Sequence, residues 1–411
     1  ALAARLRVQA VILAGGKGTR LGALAAGLPK PLVPVGGKPF IHYLIAALRR
    51  HGFDEIVLLV GPFAAAYEKA LGDGSMLGVR VRLVTEDPPA DTAGALTLAA
   101  PYLSERFLML NGDSFLDFNM LDLAAREAAE PWLAWLALRE VPDVGRYGAV
   151  VLDGDRVMAF GEKAASGPGL INAGIYWLDR KVLGEIGSPP ASMERDLLPR
   201  LVARGLVRGT AYEGRFIDIG TPEDLARGGT VLPDWERRPA AFFDRDGVLN
   251  RDTGYVHRAA DFLWIEGAQQ AIKRLNDRGY FVFVITNQAG IARGFYKPED
   301  VETLHRWVNS ELRPRGAHVD GFYYCPHHPE GTAEGYRMVC DCRKPAPGLL
   351  LQAMRDWPVR REGSFMIGDK DIDVAAAEAA GIEGLLFDGR KNLDDIVRDL
   401  LPASPVLAPQ R

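Results

Sequence analysis

Short apolar runs, each closed by a polar or glycine-rich turn, recur along the chain, and the arrangement starts twice. Residues 10–14 (AVILA) end in a glycine-rich turn, and residues 240–243 (AAFF) end in an acidic one. Brief runs rich in β-branched and aliphatic residues read as buried strands. By that rule 55–61 (EIVLLVG), 79–84 (VRVRLV) and 107–110 are strands of the first half, while 39–52 and 93–103 carry the helical spacing. In the second half 267–278, 298–312 and 347–355 read as helices, and 280–285 (YFVFVI) and 364–367 as strands. Strands alternating with helices predict the α/β class with parallel sheets in both halves. Ligands in such sheets bind beyond the carboxyl ends of the strands, where both polar turns fall.

The second start predicts two domains, 1–233 and 234–411, and a length of 411 residues agrees with two or three. Residues 230–239 (TVLPDWERRP), with two prolines and no periodicity, read as a short linker, and the proline-rich tail after Leu400 as loose chain.

Composition narrows the field of functions. Apolar residues make up 48% and charged residues 25%, as in ordinary globular proteins. A net charge of −4 and the absence of a basic stripe argue against electrostatically driven binding of nucleic acid or a membrane surface as the main role. No apolar run approaches the roughly 18 residues of a membrane span. The run VILA near the start is too short for a signal peptide, so the expected compartment is cytoplasmic. Three cysteines in 411 residues exclude a disulfide scaffold. Oligomeric state stays open.

Candidate chemistry in the first half begins at LAGGKGTRL. Gly15, Gly16 and Gly18 follow a strand directly, with Thr19 beside them, and let backbone N–H groups approach a phosphate. The loop is neither a Walker A motif nor a dinucleotide fingerprint. Arg20 and Lys30 can clamp phosphate oxygens, Lys30 being aimed by flanking prolines. Asp113 (LNGDS) and Asp218 (FIDIGTPEDL) each end an apolar strand, where a carboxylate needs a partner. Mg²⁺, which takes one or two carboxylates plus substrate phosphates, is one partner; an Asp turn or helix cap is the alternative.

With NGD, INAGIY (171–176) and FIDIGTPEDL in this order, residues 8–229 resemble the sugar-1-phosphate nucleotidyltransferases. The resemblance implies a Rossmann-like, GT-A-like sheet in which Arg20 and Lys30 hold the triphosphate and Asp113 and Asp218 bind Mg²⁺. It implies that Lys163 holds the sugar phosphate, that Glu162, Asn172 and Gly174 line the sugar site, and that the TAGAL run containing Gly94 lies near base and sugar. Asp91 stands before that run, where the family often has glycine. It is either a specificity residue or a solvated loop residue.

In the second half Asp244 and Asp246 sit two apart at the end of a strand, so both carboxylates face one way. Gly247 permits the turn that follows. Thr286 and Asn287 end the next strand, Lys344 precedes a helix in CRKPAPG, and GDKDID (368–373) ends another strand. This order resembles the haloacid dehalogenase-like (HAD-like) phosphatases over residues 240–390. The resemblance implies that Asp244 is the nucleophile and Asp246 the general acid and base. It implies that Thr286 and Lys344 hold the phosphoryl group, and that Asp244, Asp246 (through its carbonyl) and Asp369 surround Mg²⁺. Asp373 would orient the Lys344 region. Nothing between Asp246 and Thr286 is long enough for a large cap domain.

All three cysteines cluster around one histidine: Cys325, His327, Cys340 and Cys342. C-x-H with C-x-C offers three thiolates and an imidazole, a closed tetrahedral set for structural Zn²⁺ that would pin the loop ending at Lys344.

Within the HAD-like group, DRDGVLNRDTGYV, TNQAGIARG, CPHHP and CRKP resemble the D-glycero-D-manno-heptose 1,7-bisphosphate 7-phosphatases, which implies that Arg343 reads the distal phosphate or anomeric end and that loops 250–255 and 288–293 shape the pocket. The first half is most similar to the D-glycero-α-D-manno-heptose 1-phosphate guanylyltransferases. Together these imply a bifunctional enzyme making GDP-D-glycero-α-D-manno-heptose. The alternatives are a mannose-type or ADP-linked transferase fused to another phosphatase, such as a histidinol-phosphate-like one, or one half acting only as a binding module. Intact Asp113, Asp218, Asp244 and Asp246 speak against the last.

Overall fold

The computed structural model describes residues 8–16, 27–161 and 166–402. They form two compact units, meeting between Asp234 and Trp235. No helix among the described residues is long and apolar enough to cross a membrane. The tail beyond residue 402 lies outside the described residues.

In the first unit, strands β1 (Gln9–Leu13), β2 (Pro34–Val35), β3 (Lys38–Pro39), β4 (Glu55–Val60), β5 (Arg80–Thr85), β6 (Arg106–Asn111) and β7 (Ser114–Asp117) are followed by β8 (Ala134–Val141), β9 (Val150–Asp153), β10 (Arg156–Phe160), β11 (Gly169–Asp179), β12 (Val207–Ala211) and β13 (Arg215–Asp218). The main sheet has nine strands in the order β5-β4-β1-β6-β11-β8-β12-β10-β9. The expected all-parallel sheet holds only in part. β1 runs parallel to β4 and β6, but β11 is antiparallel to β6 and β8, and β10 is antiparallel to β9 and β12. The reason is connectivity. β1, β4, β5 and β6 are joined through the helices Ile41–Arg50, Ala64–Leu71 and Asp91–Ala99, whereas no α-helix intervenes from β8 to β11. The first of these helices shows why it forms: Ile41, Leu44, Ile45 and Leu48, at i, i+3, i+4 and i+7, make its buried face.

A second, two-stranded sheet pairs β13 antiparallel with β7 and sets Asp218 opposite Ser114. This register brings the end of β13 beside the turn that follows β6.

The expected linker at 230–239 is mostly helix instead. Helix Pro222–Glu236 continues through Pro233. One face sustains it: Leu232 is fully buried, Leu225 packs on Val33, and Gly228 lies close enough to Val35 that a Cβ there would meet it at 3.1 Å. Burial of that face outweighs the lost backbone hydrogen bond of Pro233.

The second unit is a five-stranded, wholly parallel sheet. Its strands are β14 (Ala240–Phe243), β15 (Phe281–Asn287), β16 (Gly321–Cys325), β17 (Phe365–Gly368) and β18 (Glu383–Leu386), in the order β16-β15-β14-β17-β18. Strand alternation divides the core. Ala241, Phe243, Val282 and Val284 face helices Ala268–Asp277, Pro298–Leu312 and Leu393–Leu400. Phe242, Phe281, Phe283 and Ile285 face Gly348–Asp356 and Asp371–Ala380. The chain winds outward from β14 to one side and then returns to the other, so a crevice opens at the carboxyl end of β14. Asp244 and Asp246 stand there.

Candidate active sites

Two adjoining cavities, of about 620 and 600 Å³, open above the parallel strands of the first unit. Both are lined by Lys30, Asn111, Asp113, Glu194 and Arg195; Gly15 and Gly16 line the first, and Asn172, Gly174 and Asp218 the second. Lys30 Nζ donates to Asp113 Oδ2 at 2.9 Å. Asp218 Oδ1 accepts from the Gly220 N–H at 2.6 Å. Burial, reinforced by the charge of Asp113, holds the Asp218 carboxyl above the usual carboxylate range. Two carboxylates close enough for the charge of one to raise the other, with a lysine paired to Asp113, fit a divalent cation.

Asn172 opens a bulge in β11, and Gly174 lies within it. The Asn172 side chain donates to Tyr176 Oη at 2.7 Å and accepts from the Gly174 N–H at 3.1 Å, so it is held at the cavity wall. Thr92 and Ala95 of the TAGAL run line the first cavity; Gly94, between them, donates its N–H to Ala191 O at 2.9 Å in the packing of helix Asp91–Ala99. Gly18, Thr19, Arg20, Glu162 and Lys163 lie outside the described residues.

Three wall residues were not singled out from the sequence: Glu86, Glu194 and Arg195. Glu86 closes β5 much as Asp218 closes β13, and that signal was legible; burial raises its carboxyl. It covers the glycine turn so closely that a Cβ on Gly15 would meet its Oε1 at 2.7 Å. Glu194 and Arg195 belong to no strand end or motif. Asp91 takes the left-handed backbone (φ +62°), and its carboxylate accepts from Arg195 Nη2 at 2.7 Å. Glycine is the residue that adopts this φ most easily, which accounts for the family's usual choice there.

In the second unit the sequence motifs converge. Lys344 Nζ lies 2.8 Å from Asp244 Oδ1 and 2.6 Å from Asp373 Oδ1, all three being buried. Its Nζ also donates to Ile285 O at 2.9 Å. Asn287 brackets the lysine's backbone, accepting from its N–H at 3.1 Å and donating to its C=O at 3.2 Å. Arg343 Nη1 donates to His327 O at 3.3 Å.

The Asp246 carboxylate is gripped from three sides. Arg245 donates from Nη2 at 2.8 Å, Asn250 from Nδ2 at 2.9 Å and Gln288 from Nε2 at 3.0 Å. Gln288 Nε2 also donates to Thr286 Oγ1 at 2.8 Å. Arg245 is 1% exposed. An arginine this buried must be paired, and Asp246 pairs it. From the sequence Arg245 had no role and Gln288 only a place in the pocket-shaping loop 288–293; their grip on Asp246 is visible only in the structure.

Among the described residues two groups of three or more acids, cysteines and histidines could hold a metal ion: Asp244 with Asp369 and Asp373, and Cys325, His327, Cys340 and Cys342. Asp369 Oδ1 is buried without a hydrogen-bond partner, and burial raises its carboxyl, helped by Lys344's two acids, Asp244 and Asp373. An orphaned carboxylate oxygen next to Asp244 suits a hard cation. Gly247 (φ +97°) allows Asp369 this close, since a Cβ there would lie 2.3 Å from Asp369 Oδ2. The cysteine sulfurs stand 3.2, 3.3 and 3.5 Å apart, and His327 Nδ1 is 3.4 Å from Cys342 Sγ. These separations are too long for a disulfide, at about 2.05 Å, and suit four donors around one ion.

Residues 9–232, more than half of the chain, match the nucleotidyl transferase family model. The chain belongs to the nucleotidyl transferase family. Residues 341–405 of this nucleotidyl transferase also match a HAD-hydrolase-like model. A D-glycero-β-D-manno-heptose-1,7-bisphosphate 7-phosphatase from Rhodopseudomonas palustris is 49% identical over 165 residues, 40% of this chain and 91% of that protein. The protein of the same name from Escherichia coli K12 is 47% identical over 144 residues, 35% of this chain and 75% of that protein. Through these relatives the chain also belongs to the family they form. Among solved structures, HddC from Yersinia pseudotuberculosis is similar at 31% identity and a TM-score of 0.50, covering 55% of this chain and 99% of that one. HddC complexed with GMP-PN matches at 30% and 0.50. The chain thus joins a nucleotidyltransferase to a HAD-like phosphatase.

Proposed function

We propose that this chain makes GDP-D-glycero-α-D-manno-heptose in two steps, both in the cytoplasm. The second unit removes the 7-phosphate of heptose 1,7-bisphosphate, and the first transfers GMP from GTP to the resulting heptose 1-phosphate, releasing pyrophosphate. The observation that carries this reading is the pairing itself: one chain combines likeness to a heptose bisphosphate 7-phosphatase over 91% of that protein with likeness to HddC over 99% of that one.

In the phosphatase step, Asp244 attacks phosphorus and forms the aspartyl-phosphate while the bond from phosphorus to the C7 oxygen breaks. Asp246 gives its proton to the departing oxygen, then takes one from the water that releases phosphate. Lys344 and Thr286 hold phosphoryl oxygens, and Arg343 the far end of the substrate. Asp244, Asp369 and the Asp246 carbonyl would hold Mg²⁺, which when bound neutralises phosphoryl charge. Cys325, His327, Cys340 and Cys342 would hold a structural Zn²⁺ that ties the Arg343–Lys344 loop down.

In the transfer step an oxygen of the sugar phosphate forms a bond to the α-phosphorus of GTP, and the bond to pyrophosphate breaks. Gly15, Gly16, Gly18, Thr19, Arg20 and Lys30 hold the triphosphate; Lys163 holds the sugar phosphate; Glu162, Asn172 and Gly174 line the sugar. Asp113 and Asp218 would hold Mg²⁺ there. Positioning and charge neutralisation carry this chemistry. The Glu86 carboxylate at the cavity wall supports guanine, whose N1–H and N2–H₂ edge offers two donors where adenine offers one donor and one acceptor.

Neither step breaks the bond between C1 and its oxygen, so the anomer of the bisphosphate is the anomer of the product. The test is one reaction: full chain, Mg²⁺, the α or β bisphosphate, and GTP or ATP, read by mass spectrometry. GDP-heptose from the α anomer is the expected result. Phosphate release with no nucleotide sugar would overturn the transferase assignment, and no phosphate release from either anomer the phosphatase one.

A further inference from the structure

We propose that Tyr296 is a positioning residue of the phosphatase site: its hydroxyl holds the Gln288 carboxamide with the NH₂ toward Asp246 and Thr286, and so decides which way the protons of those two residues point. This rests on the phosphatase reading above. Tyr296 Oη donates to Gln288 Oε1 at 2.7 Å. Gln288 Nε2 donates to Asp246 Oδ2 at 3.0 Å and to Thr286 Oγ1 at 2.8 Å. A carboxamide has an acceptor side and a side with two N–H donors. The tyrosine occupies the first, and the second meets one acceptor for each N–H.

The fold holds both partners in place. Gln288 is 2% exposed and Tyr296 7%, so the tyrosine lies behind the site and does not reach the substrate. Its ring packs with Ile291 and Val301, and His257 stacks on it at 4.7 Å and 15°. Gly290 makes the close approach possible, since a Cβ there would lie 2.6 Å from Tyr296 Oη. The Gln288 N–H donates to Cys325 O at 2.8 Å, which fixes the backbone from which the amide extends. Burial pushes the Tyr296 hydroxyl up to about 12, so it keeps its proton through the neutral range.

The reaction needs this orientation. As the bond from phosphorus to the C7 oxygen breaks, Asp246 must hand its proton to that oxygen. A turned amide would present its carbonyl to Asp246, and the acid would donate there instead. None of the three side chains at Asp246 offers an acceptor: Arg245 has none, Asn250 presents Nδ2 and Gln288 presents Nε2. The leaving oxygen is then the acceptor for the acid's proton. Thr286 likewise accepts from the amide, which frees its own O–H for a phosphoryl oxygen. A leaving group that departs as a stable anion needs no proton from Asp246, and so does not depend on Tyr296.

The test uses the full chain with Mg²⁺ and compares heptose 1,7-bisphosphate with acetyl phosphate, whose acetate departs unprotonated. The quantity read is kcat/KM, which covers departure of the leaving group but not the later attack of water. Tyr296→Phe is expected to lower kcat/KM for the bisphosphate about tenfold and to change that for acetyl phosphate by less than about twofold; Gln288→Met should show the same selective loss. Equal losses on both substrates would mean a structural role and overturn the proposal, as would no loss on either. A double-mutant cycle asks whether the hydroxyl acts through the amide. In the Gln288→Met chain, Tyr296→Phe should cost less than about twofold more on the bisphosphate, and a further loss of about tenfold would overturn the proposal. If the wild-type chain cleaves acetyl phosphate but not heptose bisphosphate, the heptose reading fails, and the same ratio measured with glucose 6-phosphate decides the role of Tyr296. If it cleaves neither sugar phosphate, the phosphatase reading falls and the proposal with it.

Discussion

Lys344 is ion-paired to Asp244 at 2.8 Å while its other flank is closed by Asp373 at 2.6 Å. The lysine is 3% exposed, so one cation neutralises two carboxylates where water cannot. In the proposed mechanism Asp373 would aim Lys344 at Asp244.

Replacing Lys344 by Met leaves two buried carboxylates unpaired. Breaking a buried pair from one side costs about 3–5 kcal/mol. The K344M chain is expected to unfold in its second unit at clearly lower urea and to lose phosphatase activity by at least about a hundredfold. Transferase activity on supplied heptose 1-phosphate should persist. Urea titration and the two separate assays check this; an active, fully stable K344M would remove the role.

The sulfur–histidine cluster predicts one tightly bound zinc per chain. Metal analysis of the purified protein, followed by chelation, tests it. Chelation should lower the thermal midpoint and suppress the phosphatase more than the transferase, because the cluster lies in the loop carrying Arg343 and Lys344.

Asp218→Asn should abolish transfer of the nucleotide, with a loss of about a hundredfold or more at saturating Mg²⁺, and spare the phosphatase. Its stability effect has the opposite sign. Burial and Asp113 raise the Asp218 carboxyl, so the charged form is disfavoured in the fold, and the metal-free asparagine variant should melt no lower than wild type. Differential scanning calorimetry in EDTA reads the sign.

His305 is buried against Phe322 and near Arg245, and burial, then the Arg245 charge, holds its pKa well below the ordinary value. The folded chain keeps it neutral while the unfolded chain protonates it below about pH 6.5. The unfolded state then binds more protons, so stability is full above that pH and falls as pH drops below it. The urea midpoint should decline between pH 7 and 5, with a slope of at most about 1.4 kcal/mol per pH unit from this group. His305→Gln should flatten it.

Asp91 tests the backbone at the transferase cavity. Glycine or asparagine accepts φ +62°; valine does not. Asp91→Gly and Asp91→Asn should lie within about 1 kcal/mol of wild type, and Asp91→Val should lose about 1–3 kcal/mol. Comparing KM for the two substrates across the three also separates a specificity role from a solvated loop residue.

Much of the fold and site chemistry was legible in the sequence because it is local. Apolar runs found the central strands within a residue or two, since β-branched runs need no distant partner to be recognised. The i, i+2 spacing of Asp244 and Asp246 and the clustering of every cysteine around His327 were likewise visible. Helix continuity through Pro233 was not, because it depends on Leu225 and Gly228 meeting Val33 and Val35, nearly two hundred residues earlier in the chain. Glu86 could have been found as an acid closing a strand; Arg195 could not.

The sequence by itself determined which residues carry charge, sulfur and nucleophilic oxygen, and at which strand ends they stand, because those properties repeat over two to four residues. Tertiary structure alone decided which of them act together. The β7–β13 register brings Asp218 to Asp113. The parallel order around β14 delivers Lys344 and Asp369 to Asp244, and a buried Arg245 with Gln288 fixes Asp246. The missing helices between β8 and β11 turned an expected parallel sheet into a mixed one. The physical reason is the same throughout. Strand pairing and buried ion pairs join residues far apart in the chain, and their cost and gain are set by loop closure and desolvation, which no local pattern encodes.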